Sequence, residues 1–272
     1  MHLHSKTKNI IPCLSIILLN VMTPKLSAQT NPDTTTIVII GTVHNSTKNF
    51  TEQTLYNILM HIKPNVILNE LDSSFFSSNM IREKYANISL ENKAVTDYAK
   101  DKDVQLRPYD IEGRNRIYEK NNYFNLQKQF SAALSKAGEN NLLNAEAKSI
   151  LQSVDSFGEI SFAFSKEKPE VINSSSCDVS MKLKHQYDSD GLIRIAALTL
   201  SLKEYESFCK WRSDFWALRN NTMTENIIKW CSAFQGKTIV VLCGFEHRYY
   251  LIDSLTKKIK DGKFKLRDYQ TY

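Results

Sequence analysis

Ile37 to His44 reads I-V-I-I-G-T-V-H, an unbroken apolar run, mostly β-branched, that ends in Gly41 three positions before a histidine. Such a run predicts a buried strand at roughly Thr36–Ile40, turning sharply to place His44 at its carboxyl end. The pattern returns at Thr238–His247, T-I-V-V-L-C-G-F-E-H, where Gly244 again precedes His247 by three. A third short run, Asn65–Asp72, N-V-I-L-N-E-L-D, closes on Glu70. Between the first and third runs, Leu55, Ile58, Leu59 and Ile62 mark one face of a helix from Thr51 to about Ile62, stopped by Pro64. Strand, helix and strand in this order predict two parallel neighbours with a right-handed crossover.

Further along, the pattern predicts a helix over Glu91–Lys102 and a brief strand at Val104–Leu106, ended by Arg107-Pro108-Tyr109-Asp110. Ile111–Gly138 and Asn144–Val154 read as helical, and the polar, Ser-rich Gly158–Gly191 as a loop or insertion. Glu204–Phe234 is a strong helical region with Tyr205, Phe208, Trp211, Phe215 and Leu218 as a core stripe. Thr222-Met223-Thr224-Glu225 fits a capping box, so a break is expected near Asn220–Asn221, with Arg219 at the break. A last helix is expected over His247–Lys260. The expected fold is therefore α/β: a mixed, largely parallel central sheet flanked by helices, with the helical middle as a cap over the strand carboxyl ends.

Composition changes this picture little. The 272 residues are 42% apolar and 24% charged, which suits a folded domain rather than disorder. The formal net charge is +6, and Lys6, Lys8 and Lys25 supply half of it, so no concentrated basic surface argues for nucleic acid. The N-terminus matters more. Lys6 and Lys8 precede an apolar stretch from Ile10 to Met22, followed by Ser27–Ala28. That order predicts a cleaved secretory leader over residues 1–28 and one α/β domain over 29–272. The stretch is short of the ~20 apolar residues of a spanning helix, so no stable membrane span is expected after cleavage. Cys177, Cys209, Cys231 and Cys243 would remain, either as disulfides or as buried thiols, with no metal-binding spacing. Asn-x-Ser/Thr triplets occur at Asn45, Asn49, Asn87, Asn173 and Asn220. A glycan on Asn45 would crowd His44, so the expected setting is the periplasm or exterior of a bacterium.

The candidate chemistry sits at the strand ends, where open α/β sheets bind ligands. His44, Glu70 and His247 form two imidazoles and a carboxylate, a set that suits a catalytic divalent metal. The same groups work without metal if a histidine is the base and a carboxylate orients it. Arg219 would stabilise negative charge on a carbonyl oxygen or hold a substrate carboxylate.

Together, G-T-V-H, G-F-E-H, N-V-I-L-N-E-L-D and R-N-N-T-M at Arg219–Met223 resemble the TraB/PrgY–Tiki superfamily, also called TraB/GumN. Part of the likeness extends to erythromycin esterase-like and ChaN-like proteins. Asn65 stands where an acid is commoner, and Phe245, Glu246, Arg248 and Tyr249 replace smaller residues around the second histidine. Asp110 and Arg114 are similar to the family's acidic–arginine segment, and Met223 to the esterases' arginine–methionine helix. The resemblance implies hydrolysis of a peptide or ester bond by an exported protein, expected to be metal-assisted as in the Tiki-like members. It assigns His44, Glu70 and His247 as catalytic or metal-binding residues with Arg219, and Asp110, Arg114 and Met223 to a small-molecule or peptide substrate. The alternative it implies is a non-catalytic protein binding haem or peptide in the same crevice.

Overall fold

The computed structural model describes residues 34–259 and 262–272; the expected leader, with Cys13 and the Ser27–Ala28 junction, lies outside the described residues. The chain runs β1 (Thr35–Thr42), α1 (Glu52–Ile62), β2 (Val66–Asn69), β3 (Phe76–Ser77), β4 (Met80–Ile81), α2 (Leu90–Asp101) and β5 (Gln105–Pro108). The helical middle follows: α3 (Arg114–Lys120), α4 (Tyr123–Glu139), α5 (Ala145–Phe164), α6 (Pro169–Ile172), α7 (Ser175–Gln186), α8 (Leu192–Leu198) and α9 (Glu206–Ala233). The chain then returns to the sheet with β6 (Thr238–Gly244), α10 (Phe245–Lys258) and β7 (Phe264–Leu266).

The five-stranded sheet has the order β5-β2-β6-β1-β7, and its strand pairs are parallel. β3 and β4 form a separate antiparallel hairpin. The expected fold is thus the observed one, with one change in pairing. β1 and β2 are parallel but not neighbours, because β6 inserts between them and pairs with both. β6 is the most continuously apolar run after β1, and only a central position buries both of its faces. Alternate residues of the strands feed opposite layers. Val38, Ile40, Ile67, Val240 and Leu242 pack with Leu55 and Leu59 of α1 and Val95 of α2. Ile37, Ile39, Val66, Ile239 and Val241 pack with Ile227 of α9 and Leu251 and Leu255 of α10. A third cluster, including Phe130, Ala147, Ile195 and Phe208, is the core of the helical middle.

Local chemistry explains most boundaries. Thr51 caps α1 in a reciprocal box with Thr54, and Lys63 ends it in the left-handed region before Pro64. The stretch expected as a loop over 158–191 is instead mostly helical, because its polar residues are caps: Ser174 accepts from the Cys177 amide, and Pro169 opens α6. The helix expected over Ile111–Gly138 divides at Asn121–Asn122, where Asn122 adopts a positive φ of 50°. α9 does not break at Asn220–Asn221. The hydroxyls of Thr222 and Thr224 donate to the carbonyls of Leu218 and Asn220 one turn back, so they are spent within α9 and none is free to cap a new helix. Leu218, expected in the core stripe, is 54% exposed, while Phe208 and Phe215 are buried. The four cysteines of the domain are free, buried thiols.

Candidate active site

A parallel sheet delivers its carboxyl ends to one edge, and here four ends contribute. His44 follows β1, Glu70 follows β2, Asp110 follows β5, and His247 lies in the first turn of α10 after β6. Close approach makes glycine necessary at Gly41, whereas Gly244 lies within ordinary contact distance of the site. A Cβ on Gly41 would meet Phe245 Cα at 3.0 Å, and one on Gly244 would lie 3.5 Å from His44 Nε2 and 3.7 Å from Glu70 Oε2.

Arg219, on α9, stands at the centre of the buried part. Its Nε and Nη2 donate to Asp110 Oδ1 and Oδ2 at 2.8 and 2.9 Å, and Nη2 also donates to Glu70 Oε1. Its Nη1 lies 3.0 Å from His247 Nε2. Glu70 Oε2 accepts from the Gly244 amide at 2.7 Å. Asp110 also accepts from Arg114 Nη1 at 2.9 Å and from the Ile111 amide at 2.8 Å.

The His247 tautomer follows from Asn220. The Asn220 amide donates through Nδ2 to the Trp216 carbonyl at 2.8 Å, so its Oδ1 faces His247 Nδ1, also at 2.8 Å. Nδ1 must therefore carry the proton, and the Nε2 lone pair accepts from Arg219. The Trp216 ring stacks on His247 with centroids 4.2 Å apart. Burial then lowers the His247 pKa to about 3, keeping the ring neutral. Burial alone would raise Glu70, but nearby positive charge, of which Arg219 is the permanent part, together with the Gly244 amide, holds it at about 2. Burial opposes the charge on Arg219 and is outweighed by Glu70 and Asp110, which raise its pKa. Burial raises Asp110 despite the pull of Arg219 and Arg114.

His44 is different in kind. Its side chain is 69% exposed, and its Nδ1 lies 3.3 Å from Glu91 Oε1 on α2. The Thr42 hydroxyl donates to the same oxygen at 2.6 Å, and the Leu90 amide donates to the His44 carbonyl at 3.0 Å. Glu91 raises the His44 pKa through its hydrogen bond and charge, against partial desolvation, and Glu70 adds to the rise. His44 and Gly244 border a cavity of about 460 Å³ that also takes in Asn69, Glu70, Glu91 and Arg114.

No family model matches this chain, and neither a curated protein nor a solved structure matches it.

What the centre can do follows from its geometry. Glu70, His247, Arg219, Asp110 and Arg114 are brought together, and His44 stands beside them across Gly244. As a metal set, His44, Glu70 and His247 do not fit. The Arg219 guanidinium occupies the His247 Nε2 lone pair and one Glu70 oxygen, and the Gly244 amide takes the other. A permanent cation already stands where a metal would. Arg219 is itself 5% exposed with its nitrogens engaged by protein, so it supports the site rather than facing the large cavity. Met223 is fully buried in the sheet core, not on the cavity wall. Sequence reasoning missed Glu91 and Asn220. Glu91 carries no motif, since its role depends on how α2 packs beside β1. Asn220 sits in the Arg219–Met223 motif, but its value lies in a hydrogen bond across to α10.

Proposed function

We propose that the domain hydrolyses an ester or amide bond at the strand ends, without a metal, using His44 as general base. The observation that carries this reading is the pairing of an exposed imidazole with a carboxylate. Glu91 sits behind Nδ1, which leaves Nε2 over Gly244 at the border of the cavity. In this reading His44 Nε2 takes a proton from water as its oxygen attacks the carbonyl carbon, and returns it to the leaving atom when the bond breaks. The fixed Glu70 carboxylate stabilises the intervening imidazolium. The α10 helix begins after Gly244 on the cavity border, and the positive end of its dipole favours the developing oxyanion. Arg219, His247 and Asn220 form a rigid, neutral-histidine support that keeps Glu70 ionised. The motif-level resemblance to the TraB/PrgY–Tiki superfamily and its esterase relatives supports hydrolysis, though its Tiki-like members use a metal, and the leader-like N-terminus supports an exported bacterial protein.

The test is a panel of small esters and acyl peptides on the purified domain, with and without chelator. Turnover should survive chelation, and His44→Ala should lower kcat by about 100- to 10,000-fold. Unchanged turnover in His44→Ala removes the assignment, and loss on chelation restored by a divalent ion removes the metal-free reading.

A further inference from the structure

Resting on the hydrolase reading, we propose a substrate class: short amides or esters whose leaving group is an amino or hydroxy acid carrying an apolar side group and a free carboxylate. The cavity has two unlike walls. One is apolar, with Leu71, Phe75, Tyr85 and the half-exposed Ile88, and the Phe75 and Tyr85 rings lie 4.6 Å apart. The other is polar and ends at Arg114, whose guanidinium donates through Nη1 to Asp110 at 2.9 Å and whose side chain is 26% exposed. A guanidinium anchored at one nitrogen keeps further N–H donors for a carboxylate. Asn69, 2% exposed, lies in the cavity lining between the walls.

The spacing agrees. His44 Nε2 reaches over Gly244 at the end of β6, while Arg114 is tied to the end of β5, two strands away across β2. Two strand spacings are about 10 Å. A short substrate can therefore bridge the two groups, its scissile carbonyl beside His44 Nε2 and its carboxylate at Arg114. In the reaction, the water oxygen bonds to the carbonyl carbon and its proton passes to His44 Nε2. The C–N or C–O bond then breaks, and that proton goes to the departing nitrogen or oxygen, giving a carboxylic acid and the free amino or hydroxy acid.

The experiment compares hippuryl-phenylalanine with hippuryl-phenylalaninamide, using intact protein, Arg114→Gln and Arg114→Lys, with thermal unfolding run on each. The acid should be cleaved at least tenfold more efficiently than the amide. Arg114→Gln should bring that ratio toward one, mainly through KM, and Arg114→Lys should keep part of it. Equal cleavage of acid and amide by intact protein, or a ratio unmoved in a folded Arg114→Gln, overturns the substrate class while leaving hydrolysis standing. If neither is cleaved, calorimetry with the non-cleavable ketomethylene analogue and its amide decides separately. Tighter binding of the acid keeps the carboxylate site and removes hydrolysis, and equal binding or none removes the carboxylate site.

Discussion

Two histidines with the same motif spacing have opposite chemistry. His247 is neutral, because burial lowers its pKa to about 3 and its ring nitrogens are taken by Asn220 and Arg219. His44 is exposed, and Glu91 raises its pKa above the ordinary 6.5. A base must be unprotonated, so kcat/KM should fall as pH drops through this raised value. Glu91→Gln removes the carboxylate charge and should move that acid limb to lower pH, which a pH–rate profile reads directly; an unmoved limb would show that Glu91 does not act through His44. Arg219→Met leaves Glu70 buried without its cation and Asp110 with Arg114 alone. Breaking a buried pair in this way typically costs about 3–5 kcal/mol, and urea unfolding should register it. Arg219→Lys should recover little, since an ammonium cannot reach Asp110, Glu70 and His247 in one plane.

Among the elements, the paired glycines separate stability from activity. A Cβ on Gly41 would press on the backbone of Phe245 at 3.0 Å, where α10 crosses β1. Gly41→Ala should therefore destabilise by about 1–3 kcal/mol. On Gly244 the same methyl meets only ordinary contacts with His44 and Glu70, so Gly244→Ala should fold with a nearly unchanged melting temperature and lose turnover. A comparison of melting temperatures with kcat for the two variants checks both. The sequence made these elements readable where periodicity and caps agree, as in β1, α1, β2 and β6. It misled where polar residues had a second use. Ser174 marked a helix start rather than a loop, and Thr222 and Thr224 bonded backwards along α9 rather than breaking it. The strand-end residues of the site were legible because strands and glycines announce where they end. The Glu91–His44 and Asn220–His247 contacts were not, since each joins elements whose packing no local pattern encodes.

For the whole molecule, the buried centre couples stability to pH. His247 has a folded pKa of about 3 against an ordinary 6.5, so its contribution is complete above 6.5 and is lost as pH falls toward 3. Glu70 is lowered too, against its burial and in part by the charge His247 takes on in acid, so the two titrate as a pair and the Glu70 contribution, complete above 4.5, is lost only in more acid solution. Asp110, raised by burial, runs the other way and offsets part of this. Urea midpoints should thus begin to decline below pH 6.5, and His247→Asn should flatten the portion between 6.5 and 4.5; a midpoint constant down to pH 4 would contradict the neutral, locked imidazole. The strand order has a consequence in time as well. β6 is the partner of both β1 and β2, yet it is translated after the whole helical middle. At ribosomal speeds of about 5–20 residues per second, β1 waits on the order of ten seconds or more for its neighbour. Until then the sheet has no centre and the strand ends cannot converge. Until β6 emerges the nascent chain lacks its finished sheet, and an unfinished sheet threads more readily through the narrow channel that the proposed leader implies.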